Sequence, residues 1–341
     1  MKQSFLLLIL LIFMLLHPAI TVTGASNGLL LWYSSVVPAL FPFMVLSSLI
    51  VASGSLSVLM APVQLVLGPL LGLSAEGCYT LLSGLVCGFP MGAKTCADFL
   101  SRGQLSLKEG KFLMAVCNHA SPMFLLGYVY PLFHGNLPLW KLLAAVYGPA
   151  LLLALPARLL YRNGALAGRK PKIQGIAEPQ KIREPQKIPE SRKISEPRKI
   201  PESNFPSPAK SNPGNLSADE AILSSVEVLC RIGGLLILFS IAVEFLRGAR
   251  QLPAGLRLFL MGAMEMTTGI RELAAALPYP YSAAAACASL TFGGLSGIFQ
   301  TKAALGALAQ KKKAGLSIRQ YCVWKLLYAC LTAAILLALE A

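Results

Sequence analysis

Runs of apolar residues, most close to the length of a bilayer crossing, alternate with short polar joints along almost the whole chain. They predict ten helices, near residues 5–22, 28–52, 57–74, 77–100, 111–131, 139–161, 221–246, 256–276, 281–310 and 318–340. A hydrocarbon core about 30 Å thick takes roughly 20 helical residues, so the pattern reads as an all-α, polytopic membrane protein. The first run has the outline of a signal peptide, with Lys2 before Phe5–Leu16 and the small residues Gly24-Ala25-Ser26 after it. No polar domain follows it, and it is read as a membrane helix.

One stretch breaks the pattern. Between residues 163 and 220 Glu178, Glu184, Glu190, Glu196 and Glu202 recur every six residues, Lys181, Lys187, Lys193 and Lys199 each precede an isoleucine, and prolines keep nearly the same period. Too little apolar surface is available there to offset the entropy of ordering it, so a disordered linker is expected. It separates residues 28–162, a first unit with a connecting helix, from residues 221–341, with residues 1–27 as the N-terminal helix.

Several apolar runs are interrupted. Gly84-Leu85-Val86-Cys87-Gly88-Phe89-Pro90-Met91-Gly92-Ala93-Lys94 resembles Gly294-Leu295-Ser296-Gly297-Ile298-Phe299-Gln300-Thr301-Lys302, and the pairs Leu105-Ser106 and Leu316-Ser317 follow at matching distances. The likeness suggests an internal repeat, and the element count makes its second copy inverted, a transporter plan in which broken helices meet near the bilayer midplane. Inversion would put Arg102, Lys108 and Lys111 on the face opposite to Lys311–Lys313 and Arg319, against the tendency of basic loops to stay cytoplasmic. Either one copy departs from that rule or some elements are re-entrant hairpins.

The breaks carry the candidate chemistry. Gly88, Pro90 and Gly92 free backbone groups that lipid cannot satisfy, which points to a protein-lined or water-lined interior. Lys94 and Lys302 place cations where a lysine costs about 2.5–3.5 kcal/mol on insertion scales, and together they suit an anion; near an interface either can snorkel instead. Asn118 and Ser121, within Cys117-Asn118-His119-Ala120-Ser121-Pro122, offer hydrogen bonds or satisfy their own break. Glu265 and Thr268, inside Met264-Glu265-Met266-Thr267-Thr268-Gly269, are candidates for coupling to Na⁺ or H⁺ or for pairing with one of the lysines. Phe41-Pro42-Phe43, after Pro38, is expected to bend the second element.

Composition narrows the function. With 55% hydrophobic and 13% charged residues, 341 residues cannot cover a soluble globule. The net charge of +15 comes partly from the linker, where acids alternate with the bases and no aromatics are interleaved with them, so nucleic acid is not the partner. No zincin, nucleophile-elbow or paired mid-membrane aspartate motif occurs. The eight cysteines lack ligand spacing and read as small core residues. An enzyme, a metal site and a cofactor are not expected.

Gly28-Leu29-Leu30-Leu31-Trp32, Val37-Pro38-Ala39-Leu40-Phe41-Pro42-Phe43, Ser83-Gly84 to Lys94 and Cys117 to Pro122 with Phe124 resemble the YlbJ-type sporulation integral membrane proteins, which carry the nucleoside-recognition, or Gate, domain. The resemblance covers nearly all the hydrophobic chain but not the linker. It implies two Gate-type repeats related distantly to concentrative nucleoside transporters, with Gln300-Thr301 matching a glutamine–threonine pair in one of their re-entrant hairpins. Lys302 stands where those transporters have an acid, which argues against a nucleoside. The resemblance further implies the mother-cell-derived outer forespore membrane and the passage of dipicolinic acid.

The expectation is a transporter of a small anion, dipicolinate, with Lys94 and Lys302 neutralising its carboxylates and Asn118, Ser121, Gln300 and Thr301 hydrogen-bonding it. A nucleoside transporter and a non-transporting membrane scaffold of spore-envelope assembly are the alternatives. The sequence leaves a homo-oligomer open, as dimer or trimer.

Overall fold

A computed structural model describes residues 2–133, 135–161, 217–309 and 316–341. The expected linker lies outside the described residues except for its last four positions, as does the Lys311–Lys313 cluster. Among the described residues the chain forms helices and their joints, without strands. It is an all-helical multi-pass membrane protein.

In the first half α1 (Lys2–Leu16) leads into α2 (Pro18–Leu31), a π-helical turn (Trp32–Val36) and α3 (Val37–Ala52), which stack into one run of 35 residues. Pro38 and Pro42 do not break that run; the wide turn lies directly before Pro38, where such turns relieve a mismatched backbone. Then come α4 (Leu56–Leu71), α5 (Ala75–Val86), α6 (Met91–Ser101), α7 (Leu107–Val116), α8 (Pro122–Phe124, continued by π and 3-10 turns to Phe133) and α9 (Leu139–Tyr161). The second half holds α10 (Ala218–Gly248), α11 (Ala254–Met264), α12 (Met266–Ala276), α13 (Tyr281–Phe292), α14 (Gly294–Leu305) and α15 (Ile318–Glu340). A capping box at Ser217 and Glu220 starts α10, so the helix begins within the last residues assigned to the linker.

Among the described residues five runs are long and apolar enough to cross a bilayer: Pro18–Ala52, Leu139–Tyr161, Ala218–Gly248, Tyr281–Leu305 and Ile318–Glu340. A sixth is reached if α4 and α5, bent by 95° at their joint, count as one span. The expected elements at 77–100, 111–131 and 256–276 are instead divided into short helices, the arms of the two hairpins being 11–12 residues each. At 1.5 Å per residue such an arm is about 17 Å long, half the hydrocarbon core.

Two of these pairs fold back on themselves. In α5–α6 the Ser83 hydroxyl donates to Thr95 Oγ1 at 3.2 Å and the Tyr79 and Phe99 rings lie 6.2 Å apart, so the arms run antiparallel from a tip at Cys87–Pro90. In α11–α12 Gly269 lies against Gly262 so closely that a methyl group would strike the facing backbone, and the tip is Glu265. Segments 84–94 and 294–302 therefore differ in shape: the first turns a hairpin, whereas α14 continues α13 through Gly293 and Gly294, at φ +83° and +66°. What the halves have in common is an order, a hairpin followed by an interrupted helix (α7 and α8, then α13 and α14). The Leu-Ser pairs also act alike, since Leu105 and Leu316 are buried while Ser106 and Ser317 cap α7 and α15.

The halves interlock through close helix contacts. Along α2, a Cβ on Gly24 or Gly28 would stand 2.6 or 2.7 Å from the Cα of Ile241 or Ile237 on α10, the small-residue contact by which membrane helices approach without a hydrophobic driving force. Beside it Trp32 Nε1 donates to the Leu229 carbonyl at 2.8 Å. Elsewhere Lys141 Nζ ties α9 to the end of α15, at 2.6 Å from the Leu339 carbonyl and 3.0 Å from Glu340, and Trp324 Nε1 donates to the Tyr161 hydroxyl at 3.1 Å.

Replacing Gly28 with Ala should lower the melting temperature in detergent by several degrees, overpacking of this kind costing about 1–3 kcal/mol. Gly234→Ala, a site with open space around it, should leave it unchanged or raise it slightly, and equal effects of the two would remove the contact from the account.

Candidate functional site

Four interruptions meet in the interior: the tip at Cys87–Pro90, the break at Cys117–Ser121, the tip at Glu265, and the glycine pair 293–294. Phe89, at the first tip, would be 3.8 Å from a Cβ on Gly293 or Gly297, while Gly294 sits as near to Met264, Glu265 and Met266. The glycine pair thus lies between the hairpin tips, with Gly294 the tighter contact, a Cβ there standing 3.1 Å from the Met264 carbonyl oxygen and the Met266 nitrogen. Gly84, Gly88 and Gly92 do the same for the first hairpin against the second break; a Cβ on Gly88, at φ +83°, would be 2.9 Å from the Ser121 nitrogen.

The carbonyls freed by the break after α7 find partners. Phe89 N donates to the His119 carbonyl at 2.9 Å, Lys325 Nζ to the Asn118 carbonyl at 3.0 Å, the Tyr147 hydroxyl to the Ala120 carbonyl at 2.9 Å, and His119 Nε2 lies 2.6 Å from the Val116 carbonyl. Asn118 Oδ1 accepts from Ala93 N in the first turn of α6 at 3.1 Å, and Ser121 Oγ caps α8 by accepting from Phe124 N. The second tip closes similarly, since both Glu265 oxygens accept from α12, from Thr267 N at 3.0 Å and Thr268 N at 2.7 Å, and Tyr128 OH donates to the Thr267 carbonyl at 2.8 Å. The positive end of α12 faces this fully buried carboxylate.

A cavity of about 70 Å³ opens where these pieces meet, lined among others by Gly88, Phe89, Ser121, Thr267 and Gln300, with α2, α3 and α10 closing its apolar side. Of the residues singled out from the sequence, Gly88, Ser121 and Gln300 reach this cavity. Pro90, Gly92 and Asn118 do not line it; Gly92 packs against Cys117 and Asn118. Thr301 is fully buried but turns to α15, donating to the Tyr321 hydroxyl at 3.2 Å, and Thr268 serves Glu265 through its backbone nitrogen. Neither expected lysine lines the cavity. Lys94 is paired with Asp98 at 2.7 Å one turn along its own helix, and Lys302 is exposed beside the Phe299 ring, 5.9 Å from its centroid. Glu265 makes no ion pair with either of them within 4.0 Å.

The cation at the centre is one that the breaks did not indicate. Lys325 is 4% exposed, in the middle of the apolar α15, and its Nζ lies 5.3 Å from the Phe89 ring centroid and 5.9 Å from that of Tyr328. Among the described residues no carboxylate comes within 4.0 Å of it. The available signal was a lone lysine in a 23-residue apolar run.

Among curated proteins the chain is similar to the sporulation integral membrane protein YlbJ of Bacillus subtilis (strain 168), with 27% identity over 250 residues. Those residues are 73% of this chain and 57% of that protein, so the chain spans little more than half of the relative's length. The match supports the YlbJ-type resemblance read from the sequence. No protein-family model matches the chain, and no solved structure does.

If Glu265 holds the second tip, Glu265→Gln, which can accept one of the two backbone bonds, should cost about 1 kcal/mol of stability, and Glu265→Leu, which leaves both N–H groups buried and unpaired, about 2–4 kcal/mol. Melting curves that rank the two variants in the opposite order would remove the capping role.

Proposed function

We propose that this chain is a membrane transporter of a small anionic solute, and that the solute is dipicolinate, moved across the mother-cell-derived outer forespore membrane during sporulation. The observation that carries this reading is the meeting of two half-length hairpins and two interrupted helices beside a half-open, mostly apolar cavity. Broken helices of this kind bind solutes near the midplane of secondary transporters, because their exposed backbone groups are the polar surface an apolar span otherwise lacks. Two Gate-type repeats in inverted relation accord with the shared order of hairpin and interrupted helix. The similarity to a sporulation integral membrane protein supports the cellular setting.

The cavity, at about 70 Å³, has room for a few waters and is well below the roughly 300 Å³ at which pockets take drug-sized ligands. In this reading the structure is a closed state, and the hairpin tips separate to admit the solute. Gln300 and Ser121 then hydrogen-bond it, and the Gly88 backbone lets it approach closely. Lys302 contributes positive charge outside the cavity, that of Lys94 being offset by Asp98, and the buried Glu265 is the candidate for Na⁺ or H⁺ coupling.

Proteoliposomes containing the protein should take up labelled dipicolinate saturably, with phthalate competing and uridine not. Gln300→Ala should raise the half-saturating concentration roughly tenfold, as loss of a hydrogen bond to a charged group does. Deleting residues 170–212 should leave uptake intact. Inhibition by uridine would turn the reading to a nucleoside, and spore-envelope defects from the deletion with no uptake by the intact protein would favour the scaffold.

A further inference from the structure

The proposed transport needs a group that recognises negative charge inside the membrane, and neither Lys94 nor Lys302 lines the cavity. We propose that Lys325, the Asn118 amide nitrogen and the Tyr328 hydroxyl form an internal subsite for a carboxylate, covered in this state by the Phe89 ring. This assignment rests on the reading of the chain as a transporter of a small anion.

Three observations lead to it. First, the only polar partner of the Lys325 ammonium among the described residues is the Asn118 carbonyl, a neutral acceptor that fills one of three donor positions. A buried ammonium without a counter-charge is held at a cost of several kcal/mol, and such groups persist where function needs them. Second, Asn118 Nδ2 and the Tyr328 hydroxyl are buried and make no hydrogen bond among the described residues, although Asn118 is 4% and Tyr328 1% exposed. Native interiors leave few such groups unpaired. Asn118 therefore joins both features, since its carbonyl takes the ammonium and its amide has only the Tyr321 hydroxyl beside it, outside hydrogen-bond geometry. An ammonium and an amide N–H₂ can only donate and a phenol can donate, so the ligand that completes them is an acceptor, and the positive charge makes it an anion.

Third, the subsite adjoins the cavity. Phe89 lines that cavity, and its ring is also the face over which Lys325 Nζ lies. Its side chain is therefore a partition between cavity and ammonium. Opposite it stand Gly293 and Gly297, whose missing side chains leave the ring room against α13 and α14. Because Phe89 is on the hairpin tip, the movement that opens the cavity also withdraws the ring from Lys325. One carboxylate then meets the ammonium while the remainder of the solute occupies the space beside Ser121 and Gln300. The aromatic face that holds the cation in the empty state is exchanged for the anion in the loaded one.

The experiment is equilibrium binding to the full-length protein in detergent, with dipicolinate and uncharged pyridine as probes, beside proteoliposome uptake of dipicolinate. Wild-type protein should bind dipicolinate saturably and pyridine weakly or not at all. Lys325→Met should weaken dipicolinate binding at least about tenfold, the worth of a charge-assisted hydrogen bond, and Lys325→Arg should restore part of it. Should Lys325→Met fail to fold, Asn118→Asp keeps the acceptor for Ala93 N, adds a negative charge to the subsite, and should lose dipicolinate binding by a similar factor. Phe89→Ala should bind at least as tightly and release faster. Wild-type affinity in folded Lys325→Met or Asn118→Asp, or no dipicolinate binding by the wild type, overturns the subsite. Binding lost in both variants, in a wild-type protein that shows no uptake, upholds the subsite and overturns transport; unimpaired uptake by Lys325→Met does the reverse.

Discussion

Inside a bilayer every backbone group released by a broken helix must be paired within the protein, and this requirement organises the molecule. Four breaks would leave many free N–H and C=O groups if each stood alone. Brought together, they satisfy one another: the first tip donates to the break after α7, a lysine, a tyrosine and a histidine meet three more of its carbonyls, and a glutamate caps the second tip. The first tip and the break after α7 pair with each other directly, while the second tip is closed by its own glutamate.

Close approach is the second part of the arrangement. Separate elements bring their backbones into contact where side chains are absent, and glycines stand at these contacts: Gly84, Gly88 and Gly92 against the second break, Gly262 against Gly269, Gly294 against the second tip, Gly24 and Gly28 between α2 and α10. Each tip is held by a few hydrogen bonds and aromatic contacts rather than by a through-going helix.

The charges divide by the same rule. Lys94, Arg231 and Arg247 find acids one turn away on their own helices, and pairs of that kind serve local stability by a few tenths of a kcal/mol. Glu265 uses backbone N–H groups in place of a cation. Lys325 has no acid beside it among the described residues and pairs only with the Asn118 backbone carbonyl.

The sequence by itself determined the membrane class, most of the helices, and the places where helices break, because hydrophobic run length and the scarcity of Gly, Pro and Asn in apolar runs are local properties. It thereby reached Gly88, Ser121 and Gln300. It could not separate a spanning broken helix from a hairpin, since ten hydrophobic elements look alike in composition, and the likeness of 84–94 to 294–302 concealed different shapes. Lys94 looked unpaired although Asp98 stands four residues on, whereas Lys325 drew no notice because no glycine or proline marks α15 as broken. Only the tertiary structure decided which lysine is central, because the environment of a charge is set by residues 200 or more positions away, brought to it by the backbone bonds that the breaks have to make.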